Sequence, residues 1–176
     1  FLMPHNYVVH KVRARKTLGW IHTDYSKVYV DIKREDKVWG KLDYIASISD
    51  DVGEVFGNVF PLLREKILPI ENILNAEFIR KRAEEREVVL CEDENVVKLL
   101  TIGRFSYPKK MEEIPSICKC ILDKGVKVKW YIIGYGSQEI ENEVRKNAEN
   151  ESVADSVVML GKKDNPYPYI KACDIY

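Results

Sequence analysis

VVKLLTIGRFSYPKK, residues 96–110, is the stretch from which the fold is read. Val96 to Ile102 are β-branched or aliphatic apart from Lys98, so the run fits a strand buried on both faces better than a one-sided surface strand. Polarity then switches at once. Gly103 is expected to end the strand, Arg104 follows, and a short loop through Pro108 leads to Lys109 and Lys110. The next residues, MEEIPSICKCILDKG, place Met111, Ile114, Ile117, Cys118, Ile121 and Leu122 at helical spacing, with Gly125 as the stop. Val126 to Ile133 is strand-like again. The result is a strand, helix, strand unit with Gly103, Arg104 and Lys109 at the carboxyl end of its first strand, where parallel α/β sheets bind ligands. An Arg and a Lys beside a glycine and helix-terminal amides suit a phosphate better than an apolar ligand.

Downstream, Trp130 to Ile133 runs into Gly134-Tyr135-Gly136-Ser137 and a helix from about Gln138 to Asn150. This is a second strand, glycine turn, helix junction facing the same side. Its pattern is only GxG, with Glu139 where a dinucleotide fingerprint needs its last glycine, which speaks against an NAD enzyme. Val157 to Leu160 reads as a strand, Gly161-Lys162-Lys163 as a third turn, Pro166 to Lys171 as a helical turn, and Asp174 to Tyr176 as the start of another strand. Three turns, carrying Arg104 and Lys109, then Gly136, then Lys162, are expected to line one crevice. A plain surface role is the competing reading for Lys162 and Lys163.

Upstream, Thr17 to His22 reads as a strand that ends in the polar cluster His22, Thr23, Asp24, Tyr25, Ser26. His22 and Asp24 are either a local hydrogen-bonding pair or machinery at a strand terminus. Residues 34–43 read as a short helix, Tyr44 to Ile48 as a strand, and Asp50 to Phe60 as a helix with Ser49 as N-cap and an apolar stripe of Val52, Val55, Phe56, Val59 and Phe60. A short strand from Lys66 to Ile70 and an amphipathic, charge-dense helix from about Ala76 to Arg86 follow. The beginning of the chain carries Lys11, Arg13, Arg15 and Lys16 without a sustained period, which reads as a mobile basic arm or as one drawn to an anionic membrane surface. Two α/β units are expected, 1–72 and 96–176, joined by a connection over 73–95.

The composition narrows the function classes. With 45% hydrophobic residues, 176 residues can bury a real core. Twenty-eight basic residues against 28 acidic leave no overall cationic excess for a nucleic acid. Cys91, Cys118, Cys120 and Cys173 form neither a CxxC nor a secreted disulfide pattern, and no apolar run approaches the ~20 residues of a membrane helix, so a cytosolic protein is expected. His5, His10 and His22 lack metal-ligand spacing, and no metal is expected.

Taken in order, these stretches resemble the retaining nucleotide-sugar glycosyltransferases of family 4 (glycosyl transferases group 1) over nearly the whole chain. The strongest match is Gly103-Arg104-Phe105 with Lys109 five residues after the Arg, and it implies that Arg104 and Lys109 hold the donor diphosphate. Trp20-Ile21-His22-Thr23-Asp24 is similar to the segment whose His faces the donor sugar and acceptor, Ile48-Ser49 to the family's strand end, and Glu71-Asn72 to its interdomain Asn. Tyr131 to Ser137 resembles the IxGxG turn, and Leu160-Gly161 with Tyr169-Ile170 and Ala172-Cys173-Asp174 the stretch that cradles the nucleobase. Lys110 departs from the usual Gly, and Asp50 from the usual Glu. The resemblance implies a GT-B fold of two facing Rossmann-like domains, truncated at both ends, with the E-x7-E motif beyond Tyr176.

The function it implies is transfer of a sugar, with retention, from a nucleotide-diphosphate-sugar donor to a glycan or lipid-linked acceptor in polysaccharide or cell-envelope glycan synthesis. His22 would be catalytic, Asp24 would lie on the acceptor side, and Gly103, Arg104, Lys109, Gly136 and Lys162 would bind the donor. No cofactor, no required metal and no nucleic-acid partner are implied, and the protein would be cytoplasmic with peripheral contact at the inner face of the membrane. Two alternatives stand: a non-catalytic nucleotide- or phosphate-binding α/β module, and a GT-B sugar-nucleotide epimerase.

Overall fold

The computed structural model describes residues 4–176. Contacts divide the chain into two units, Phe1–Leu74 and Asn75–Tyr176. In the first, β1 (Leu18–Ile21), β2 (Tyr44–Ser47) and β3 (Ile67–Pro69) form a parallel sheet in that order, with α2 (Ile32–Trp39) and α3 (Asp50–Val59) in the two crossovers. The capping residues explain the helix starts. Asp31 accepts from the backbone N–H of Arg34 at 3.2 Å, and Ser49 Oγ from that of Val52 at 3.3 Å. Ile21, Tyr25, Trp39, Ile45, Phe56 and Phe60 make the core of this unit.

The start of the chain departs from the expected mobile arm. Residues Pro4–Lys11 form α1, and His5 is buried: its ring stacks on Trp39 at 4.3 Å between centroids and its Nε2 lies 2.8 Å from Glu35 Oε2. The same carboxylate accepts from Trp39 Nε1 at 3.1 Å. Partners about thirty residues away in sequence hold a segment whose own periodicity is weak.

In the second unit, β4 (Val97–Phe105), β5 (Val128–Gly136) and β6 (Val157–Gly161) are parallel neighbours in chain order. α5 (Ile114–Asp123) and α6 (Gln138–Asn150) make the crossovers, while α4 (Ala76–Glu84), in the stretch read as a connection, packs on α7 (Tyr167–Ala172). Asn165 Nδ2 donates to the Arg82 carbonyl at 2.8 Å, and Lys171 pairs with Glu84 at 2.7 Å. Alternate residues of β4 enter two cores. Leu99 and Phe105 join Met111, Ile114, Cys118, Ile140 and Val144 under α5 and α6, whereas Leu100 and Ile102 join Tyr131, Ile133, Tyr169 and Ile170 on the α7 face. The two-sided burial read from the apolar run is therefore observed.

Gly103 does not end the strand. β4 continues through Arg104 to Phe105, and β5 stays in register with it, Gly103 opposite Gly134 and Phe105 opposite Gly136. A Cβ at Gly134 would fall on the Gly103 carbonyl oxygen, and one at Gly136 would lie 2.8 Å from the Phe105 nitrogen. Glycine lets these two strand ends approach, so it extends the pairing instead of breaking it.

After β6 the chain returns to the free side of β4. Ile175 bridges Leu99 in parallel, and Leu100 N–H donates to the Ile175 carbonyl at 2.9 Å. β4 thus has β5 on one side and the Ile175 segment on the other, which makes its carboxyl end a point where the direction of winding reverses.

Candidate functional site

Arg104 is at that carboxyl end. Its side chain shares the sheet face of Leu100 and Ile102, and its register partner across the sheet is Tyr135. Lys162, one residue past β6, holds its Nζ 5.5 Å from the centre of the Tyr135 ring, within cation–π range. Arg104, Tyr135 and Lys162 therefore form a row across the ends of β4, β5 and β6. In the sequence Tyr135 is marked only as an aromatic residue between two glycines.

The loop after β4 sets the remaining cations. Ser106 begins a single helical turn over Tyr107–Lys109, where Pro108 fits because the first turn needs no N–H from it, and Lys109 N–H donates to the Ser106 carbonyl at 2.9 Å. Lys110 follows in the left-handed region, φ 49°, which accounts for the Gly that the resemblance gives to this position. Its Nζ contacts Glu113 Oε1 at 2.7 Å, and this hydrogen bond raises the Lys110 pKa. Arg104 and Lys109 differ: both are exposed, and among the described residues neither has an acidic partner within ion-pair distance. Two uncompensated cations thus flank an edge that also carries the amino end of α6, capped by Ser137 Oγ at 3.4 Å from the Ile140 nitrogen. Such an edge attracts a multivalent anion. Lys163 lies over Tyr169 at 5.9 Å, part of the packing around α7.

S. aureus TarM superposes with a TM-score of 0.67 at 18% identity, over 90% of this chain and 30% of its own. HepE of Anabaena, solved in complex with UDP, gives 0.69 at 15% identity, over 92% and 46%. A glycosyltransferase from Rickettsia africae gives 0.65 at 16% identity, over 90% and 44%. The fold is that of GT-B. No protein-family model and no curated protein sequence matches the chain. The chain spans between 30% and 46% of the length of these GT-B structures.

His22 and Asp24 belong to the first unit. His22 is exposed directly after β1, with its ring 5.6 Å from that of Trp20. Asp24 is not its hydrogen-bond partner. The Asp24 carboxylate accepts from Ser26 Oγ at 2.6 Å and from Ser26 N–H at 3.0 Å, and pairs with Lys27 at 3.1 Å. These contacts, that with Ser26 Oγ foremost, lower its pKa and make it a poor proton acceptor. Trp20 and His22 border a groove of about 490 Å³ whose other walls include Val8, Leu18 and Val28. Among the described residues no cluster of three or more His, Cys, Asp or Glu side chains is placed to hold a metal ion, and no helix is long and apolar enough to cross a membrane.

Proposed function

We propose that the chain is part of a glycosyltransferase that moves a sugar, with retention, from a nucleotide-diphosphate-sugar donor to a glycan or lipid-linked acceptor, in polysaccharide or cell-envelope glycan synthesis. The observation that carries this is the pair of uncompensated cations, Arg104 and Lys109, at the reversal point of a GT-B parallel sheet. Departure of a nucleoside diphosphate builds negative charge on the β-phosphate. The Arg104 guanidinium presents two parallel donors to phosphate oxygens and Lys109 adds a compact charge, so both stabilise the leaving group as it forms.

Gly136 and the α6 amides supply a surface without side-chain bulk, against which the donor can lie. Tyr135 and Lys162 complete its wall. His22, beside Trp20 on the groove of the first unit, orients the acceptor, and Asp24 holds the turn that follows His22 through Ser26 and Lys27. Titration calorimetry of the chain with UDP, GDP and uridine tests the donor reading. Nucleoside diphosphate binds more tightly than uridine; equal affinity for UDP and uridine overturns the reading.

A further inference from the structure

Basic residues are concentrated around α2. At five places on the helices and turns a basic residue meets an acid three or four positions away: Lys27 with Asp24, Arg82 with Glu85, Lys110 with Glu113, Lys119 with Asp123, Arg145 with Glu141. On α2 none does. Lys33, Arg34 and Lys37 of α2, and Lys41 two residues past its end, are all exposed, and among the described residues none has an acidic partner within ion-pair distance. Lys33 and Lys37 stand one helical turn apart, a spacing at which like charges destabilise a helix. Lys33 and Arg34 also sit in the first turn, where the helix dipole disfavours cations.

Local stability does not explain this arrangement, and its geometry points to a ligand. The four cations and His10 of α1 line a groove of about 390 Å³ between α1 and α2, floored by Val38. Its one acidic wall residue, Asp31, is engaged in capping the helix through the Arg34 N–H. Asp36, also on α2, makes no ion pair among the described residues.

We propose that this groove is a second anion site, separate from the cations after β4, and that it takes a phosphate group. A carboxylate would neutralise only one of four cations, whereas a phosphomonoester or diphosphate brings two or more charges and oxygens spaced for the Arg34 fork. The phosphate could belong to a lipid headgroup or to a free phosphorylated molecule, and the two are separable by experiment.

The test uses the 176-residue chain carrying Arg104→Ala and Lys109→Ala, which removes the two unpaired cations after β4, and inorganic pyrophosphate as probe. Saturable one-to-one binding is expected by calorimetry. Adding Lys37→Ala and Lys41→Ala, both exposed and free of tertiary hydrogen bonds among the described residues, weakens it roughly tenfold or more, with the circular dichroism spectrum unchanged. In parallel, the same two proteins are sedimented with phosphatidylcholine vesicles with and without phosphatidic acid. Lysine-dependent binding of pyrophosphate alone identifies a free phosphate, and lysine-dependent binding to the phosphatidic acid vesicles alone identifies a lipid headgroup. Binding to neither, or binding that survives loss of both lysines, overturns the proposal.

Discussion

Arg104 and Tyr135 are register partners at the carboxyl ends of β4 and β5, on one face of the sheet, and Lys162 reaches over the Tyr135 ring from β6. The chain thus sets a cation at either side of one exposed aromatic. Lys109 adds a third positive charge from the following turn, while its neighbour Lys110 is neutralised by Glu113.

Removal of either free cation should weaken nucleoside diphosphate binding and leave nucleoside binding untouched. A charge-assisted hydrogen bond contributes about 1.5–3 kcal/mol, so Arg104→Ala or Lys109→Ala is expected to lower UDP or GDP affinity roughly 10- to 150-fold. Arg104→Lys is also costly, because an ammonium cannot present the guanidinium fork. Glu94→Ala, at an exposed carboxylate, is the charge control. Glu112 does not serve, since its Oε2 is shielded from water and has no hydrogen-bond partner among the described residues. Wild-type calorimetric affinity in both folded variants would overturn the assignment of Arg104 and Lys109 to the donor diphosphate.

His22→Ala, in an enzyme that contains this chain, should lower kcat about 10- to 100-fold while nucleotide affinity stays near wild type. The expectation follows from the orienting role proposed for His22, which is exposed beside the Trp20 groove. Steady-state kinetics with the donor varied separates the two effects. Unchanged turnover would return His22 to a surface residue.

Gly134→Ala should destabilise the second unit by about 1–3 kcal/mol. The added methyl falls on the Gly103 carbonyl oxygen, a backbone atom that cannot swing aside, so the β4–β5 ladder must open. Urea unfolding monitored by circular dichroism reads the change. Gly125→Ala isolates a different cost: φ is +81° there and an added Cβ meets nothing within 4 Å, so its effect is backbone strain alone.

Asp43 provides a pH test. Lys16 Nζ at 3.0 Å, the Thr17 N–H at 2.8 Å and Thr17 Oγ at 3.0 Å all donate to its carboxylate and lower its pKa from 3.8 to about 2, with the Lys16 hydrogen bond first among the causes. The folded value lies below the unfolded one. The stabilisation is therefore complete above the unfolded pKa and is lost as pH falls through the folded value. Asp43→Asn should melt below wild type at neutral pH, with the gap narrowing between about pH 4 and pH 2. A pH-independent gap in thermal unfolding would show that the carboxylate charge is not its source.

Much of the fold was legible because alternate positions of a buried parallel strand must both be apolar. The run from Val96 to Ile102, the Ser49 cap and the Gln138–Asn150 helix could all be read locally. The cations were legible too, since Arg104 and Lys109 follow an apolar strand. Local sequence did not reveal that Gly103 lies inside β4, because the pairing that extends the strand is made by glycines about thirty residues away. It also gave no sign that His5 is buried, since Glu35 and Trp39 supply its contacts from another helix. Arg104 facing Tyr135, Lys110 turned to Glu113 while Lys109 stays free, and α2 cations meeting His10 of α1 were decided by tertiary structure. Each depends on strand register, one residue's backbone conformation or the packing of two helices, and these are properties of segments brought together from distant parts of the chain.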